Sequence, residues 1–251
     1  MAILPFYQIL IGTLNADLAN YSVFMKDGRS VALNINMRFL SYNPAGKKLC
    51  GIFEKDGKDL IGLAGLNLSN LDITPLFTLS DKRILYPALS SDNQKIAFIC
   101  ENKNTGDVEL RVIMREEFGW FPMPFVRLPA LPKPICFCSP DTLMYTDQNG
   151  ALTAALVSRR PKTALMQKTG IMPVYHAEAH LSAFVKGSDI VVSGNLSDKI
   201  RTNGITALSF SNDGKRLLYA AGTVLYGYDL QKKEQALLSE TKQPIVFIAE
   251  L

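Results

Sequence analysis

The 251-residue chain carries 27 Lys and Arg against 23 Asp and Glu, a net charge of +4. That excess is too small and too dispersed for the concentrated basic stripe that grips a phosphate backbone, so nucleic acid is not an expected partner. Its 47% hydrophobic residues can fill a sizeable core, and no apolar run approaches the ~18 residues of a membrane span.

The opening MAILPFYQILIG is apolar but lacks a basic n-region and is interrupted by Gln8, so it does not read as a signal peptide. A cytoplasmic location is therefore expected, or a periplasmic one if a leader has been removed. Residues 21–35 then read as two strands about an Asp27-Gly28 turn. Residues 39–66 read as three strands, with turns at Pro44-Ala45-Gly46 and Asp56-Gly57, and 74–80 as a fourth, outer strand. The pattern returns at 85–114 with turns at Asp92-Asn93 and Thr105-Gly106. It returns again at 134–157 with turns at Ser139-Pro140-Asp141 and Asn149-Gly150. Residues 174–194 keep the strands around Lys186-Gly187 but lack the signature of the first turn.

The clearest copy is 205–230, ITALSFSNDGKRLLYAAGTVLYGYDL. Leu217 to Ala220 form an apolar run of strand length, and the segment from Val224 to Leu230 continues with the period of two. Asp213-Gly214 and Gly222 supply residues that tolerate positive φ, so the chain can reverse within a few residues. Such a meander is marginal alone and must stack on neighbours.

Aligning the first turns puts Ala45, Asp92, Asp141, Glu178 and Asp213 in register, at spacings of 47, 49, 37 and 35 residues. A period near 40–45 residues with four short strands is the signature of a β-propeller. The residues left at the two ends make almost two further periods. This gives an all-β, six-bladed propeller spanning 1–251 as a single domain, closed by pairing N-terminal strands with PIVFIAEL at 244–251. Five blades remain if the ends are tails.

The segments SNDGKRLLY (211–219), NPAGKKLCG (43–51), SSDNQKIAF (90–98) and SPDTLMY (139–145) resemble the WD40-like, PD40-type repeats of the TolB family. These repeats also occur in the propellers of prolyl-oligopeptidase-type proteins. The resemblance covers about four units of six. It implies the propeller fold and carries no catalytic residues, because the shared motif is structural.

Four cysteines are present. Cys50 and Cys100 fall in matching second strands, and Cys136 and Cys138 share one strand. Neither arrangement has metal or disulfide spacing, which points to buried, reduced thiols. His176, Glu178 and His180 would share a face on a strand and could ligate zinc. The repeat register instead puts them at a first turn, so no metal or other cofactor is expected.

Residues 116–128, EEFGWFPMPFVRL, hold the single Trp120 beside Phe118, Phe121 and Phe125, with Pro122 and Pro124. They fall within the longest spacing, 49 residues, and read as a loop insertion offering an aromatic anchor to a protein partner. An outer strand packing its aromatics between blades is the other reading. Arg159 and Arg160 could pair with an acidic partner, or simply belong to a solvated loop between third and fourth strands. Catalytic signatures (nucleophile elbow, P-loop, zinc-protease pair) are missing. The expected function is a non-catalytic propeller scaffold for protein–protein interaction, possible also as a subunit of a larger complex. The alternative is a propeller hydrolase or lactonase with a channel-bound cation.

Overall fold

Runs such as Lys95–Asn102, KIAFICEN, are apolar at five consecutive positions rather than at alternate ones. A strand buried on both faces needs that composition, and sheets stacked face to face provide the burial. The structure, a computed structural model, describes residues 8–15, 18–25, 29–33, 37–44, 47–65, 73–158 and 160–251. Every helix or strand assigned among them is a β-strand. None is a helix long and apolar enough to cross a membrane. The expected turns at Asp27-Gly28 and Ala45-Gly46 lie outside the described residues.

Two compact units divide the chain, Met1–Asn36 with Thr202–Leu251 and Met37–Arg201. The first contributes β1 (Gln8–Asn15), β2 (Leu18–Met25) and β3 (Ser30–Leu33). The second contains four meanders in sequence. They are β4 (Arg38–Asn43), β5 (Lys48–Lys55), β6 (Lys58–Gly65) and β7 (Ile73–Thr78); β8 (Lys82–Leu89), β9 (Lys95–Asn102), β10 (Val108–Glu116) and β11 (Gly119–Pro129); β12 (Cys136–Ser139), β13 (Thr142–Thr146), β14 (Leu152–Leu156) and β15 (Lys162–Gln167); and β16 (Ile171–His176), β17 (Leu181–Lys186), β18 (Asp189–Gly194) and β19 (Asp198–Arg201). The first unit resumes with β20 (Ile205–Phe210), β21 (Arg216–Ala221), β22 (Val224–Asp229), β23 (Glu234–Glu240) and β24 (Ile245–Glu250).

Each of the six sheets has four antiparallel strands. Five run in chain order, and the sixth has the order β24-β1-β2-β3. There Ile9 faces Glu250 and Ile11 faces Ile248, so the C-terminal strand completes the N-terminal meander as its spacing predicts. The expected six units are therefore all present as four-stranded sheets, the architecture of a six-bladed β-propeller.

Within each unit, core side chains sit between consecutive sheets. In the larger unit Cys50, Ile52 and Ile61 meet Ile84, Ile96, Phe98 and Ile113. Further along, Leu85, Ala97, Ile99 and Leu110 meet Ile135, Leu143, Tyr145 and Ala155. In the smaller unit Ile9, Ile11 and Ile248 pack on Leu218, Ala220 and Leu225. Each fully buried aliphatic side chain contributes about 1.5–3 kcal/mol relative to exposure, which is what lets a weak meander persist.

The first turn of the repeat has a hydrogen-bond frame seen twice in the same form. Ser90 Oγ donates to Asp92 Oδ1 (2.5 Å), that oxygen accepts from Gln94 N (3.0 Å), and Ser90 Oγ accepts from Lys95 N (2.9 Å). Ser211, Asp213, Lys215 and Arg216 repeat it at 2.6, 3.0 and 2.9 Å. These turns also clasp neighbouring sheets. Lys95 Nζ lies 2.9 Å from Asp141 Oδ1, and in the smaller unit Glu250 Oε2 accepts from Asn212 N at 2.6 Å.

Three first strands bulge at one repeat position. Phe39, Tyr86 and Met172 adopt φ of 51°, 47° and 54°, each six residues before its aligned turn residue, where the pairing register shifts.

Candidate interaction surface

The loop insertion expected at 116–128 is not a loop. The extra residues lengthen the hairpin β10–β11, with Glu116 opposite Gly119 and the turn formed by Glu117 and Phe118. Pro122 and Pro124 do not end the strand because they sit at its irregularity. Arg111 pairs with Arg127 and Ile113 with Pro122, so residues 123–126 bulge opposite Val112. A bulge on an outer strand is where proline, lacking a donor, is tolerated.

This geometry separates the aromatic residues. Trp120, opposite Arg115, is half-buried against the cluster of Cys50, Ile96, Phe98 and Ile113. That is the outer-strand reading of the sequence, and it removes Trp120 from the set of free anchors. Phe121, next along the strand, turns to the other face and is 44% exposed; Phe118 at the tip is 87% exposed. The side chain of Phe125 lies outside the described residues. Met123 and Val126 pack on the Leu85–Tyr145 cluster, so the bulge anchors the hairpin on its second side.

Arg160 is exposed in the connection from β14 to β15, where Ser158 Oγ donates to its carbonyl at 2.9 Å. Arg159 lies outside the described residues. In a meander the first and third connections fall at the same end. The Lys95–Asp141 contact aligns the first turns of these two sheets, which places the Phe118 tip and the Arg160 loop at one end of the larger unit.

His176 closes β16, and its Nδ1 accepts from Ala179 N at 3.1 Å; His180 sits at φ 49°. These residues, with Glu178, form the turn that the repeat register indicates. Among the described residues no three His, Cys, Asp or Glu side chains are grouped to hold a metal ion. Cys50 and Cys100 are fully buried, whereas Cys136 and Cys138 are only half-buried, and all four are free thiols.

Two charged clusters at strand starts escaped sequence reasoning. Asp59 binds Arg38 Nη2 through Oδ1 (2.6 Å) and accepts from Ile84 N through Oδ2 (3.0 Å), joining the first and second sheets of the larger unit. Glu109 Oε1 accepts from Lys82 Nζ at 2.6 Å and Arg111 Nε at 2.7 Å. Burial pushes the Glu109 carboxyl upward, but these two cations and their hydrogen bonds outweigh it and hold it below the usual range. Both clusters bind their own partners fully and serve as struts between strands.

No protein-family model matches the chain, and no curated protein matches it in sequence. Solved structures do. A chain in the crystal structure of a nidogen/laminin complex is 13% identical with a TM-score of 0.71, over 97% of this chain and 98% of that one. TolB from Acinetobacter baumannii is 12% identical with a TM-score of 0.73, over 97% of this chain and 66% of that one. Oligogalacturonate lyase from Vibrio parahaemolyticus is 10% identical with a TM-score of 0.58, over 93% and 80%. At these identities the likeness carries the fold alone, an all-β six-bladed β-propeller, and the TolB-like character of the repeats holds at that level.

Proposed function

We propose that this propeller is a non-catalytic scaffold that binds a protein partner, alone or as a subunit of a larger assembly, through the end bearing Phe118, Phe121 and Arg160. The observation that carries the reading is the hairpin tip, with Phe118 87% exposed on a strand pair held just behind the tip by half-buried Trp120. A large aromatic held on a stiff support loses little side-chain entropy on docking, the profile of an interface anchor. Arg160 supplies a charge at the same end that could meet a carboxylate. The fold by itself does not choose among functions: one similar chain comes from a nidogen/laminin complex and another is a lyase. Four free thiols fit a reducing compartment such as the cytoplasm.

The test is quantitative affinity capture from native lysate with the parent chain and a Phe118→Ala/Phe121→Ala variant of equal thermal stability. Loss of two anchors is expected to deplete the specific partner by more than about tenfold. Equal recovery of every protein by both baits overturns the proposal. A stoichiometric divalent cation in elemental analysis would favour the hydrolase reading instead.

A further inference from the structure

Three sulfur-bearing side chains of the third sheet of the larger unit belong to one cluster. Cys136 on β12 is the direct cross-strand partner of Met144 on β13, so the two share a face. Cys138 is the extra residue of a bulge, between the pairs Phe137↔Leu143 and Ser139↔Thr142. Cys136, Cys138 and Met144 all pack in one cluster with Leu152 and Phe184. Neither thiol is in a disulfide. Both are half-buried, while Met144 is 1% exposed. Cys138 Sγ donates to the Thr142 carbonyl at 3.4 Å, so its proton has a place in the site as it stands.

We propose that Cys136, Cys138 and Met144 form a binding site for a soft monovalent cation, Cu(I). Thiolate and thioether sulfur select this ion, and it accepts few ligands. Zinc and harder ions want a larger set that includes nitrogen or oxygen donors. No such set is grouped among the described residues. On binding, each thiol gives its proton to solvent and forms one sulfur–copper bond. The Met144 thioether adds a lone pair without losing a proton. No electron changes hands, and the free ion exchanges two protons for two thiolate bonds. Because each thiol must lose its proton to bind, the ion competes with protons and its affinity climbs with pH.

The experiment titrates the reduced full-length chain, without oxygen, with Cu(I) held by a chromophoric chelator. The expected result is one ion per chain, two protons released per ion, and affinity rising with pH. Cys136→Ser and Cys138→Ser are each expected to leave the ion with the chelator. The volume-conserving Met144→Leu keeps the packing and is expected to weaken binding by about tenfold, the scale of an auxiliary ligand. Uptake by the Cys136→Ser/Cys138→Ser double variant equal to the parent overturns the proposal. So does a proton release of zero, or no binding by the parent. If the cysteine variants fail to fold, the proton count of the parent and the Met144→Leu comparison still decide.

Discussion

The side-chain amide of Asn43, the last residue of β4, donates to the backbone carbonyl of Ser90 in the first turn of the next sheet at 3.0 Å. The same nitrogen reaches Ser91 O at 3.3 Å and Asn93 Oδ1 at 3.0 Å, and Asn43 is 5% exposed. One buried amide therefore ties two successive repeats together through the motif that defines them. Asn43→Ala removes these bonds while Ser90 O keeps its bond from Asn93 N, and is expected to cost about 0.5–1.5 kcal/mol. Urea unfolding should show a lower midpoint with an unchanged slope. An unshifted midpoint means the clasp contributes nothing.

The Ser-x-Asp frame gives the fold an acid dependence. Burial pushes the Asp92 and Asp213 carboxyls upward, but hydrogen bonds from Ser90 and Ser211, bonds from the backbone, and nearby Lys95 and Arg216 outweigh it. Both therefore sit below the usual value of 3.8. A depressed carboxyl stabilises the folded state above the unfolded pKa, and that stability is lost as pH falls through the folded value. Stability should therefore decline below about pH 4. Asp92→Asn/Asp213→Asn keeps an acceptor at each turn and should flatten that decline. A variant with the parent's slope between pH 4 and pH 2 would falsify the assignment.

The legible parts of the sequence were those whose determinants are local. The Ser90–Lys95 and Ser211–Arg216 turns close within six residues, so their chemistry is written in consecutive letters and recurs with the repeat. The pairing of 245–250 with 8–15 was legible from spacing alone, because an incomplete meander at each end implies a shared sheet. For Trp120 the sequence left two readings open, a presented anchor and a packed outer strand. Whether it points into the core or out depends on strand parity and on the bulge at 123–126, neither of which hydrophobicity encodes. Asp59 was hidden for a different reason: its partners Arg38 and Ile84 lie 21 and 25 residues away on other strands.

The hairpin separates stability from binding. Trp120→Ala removes a half-buried ring from the Ile96–Ile113 cluster and should cost about 2 kcal/mol or more, somewhat below the 3–5 typical of fully buried Trp. Phe118→Ala, at 87% exposure, should change stability by no more than about 0.5 kcal/mol. Thermal melts of the two variants check this directly. A Phe118 variant as unstable as the Trp120 variant would show that its ring is packed, not presented.

Asp59 is a carboxylate that bridges the first and second sheets of the larger unit. Its side chain is 8% exposed against 26% for Arg38, at 2.6 Å, and its second oxygen holds the Ile84 amide. Arg38→Ala leaves a buried carboxylate with one backbone donor, the case in which breaking a pair is costlier than never having it, and should destabilise by about 3–5 kcal/mol. Asp59→Asn removes the charge but keeps an acceptor for Ile84 N, so added to Arg38→Ala it should restore part of that loss. A double-mutant cycle by denaturant unfolding measures the coupling. If the two losses simply add, the pair is a surface contact in energetic terms, and the sheets are held there by apolar packing alone.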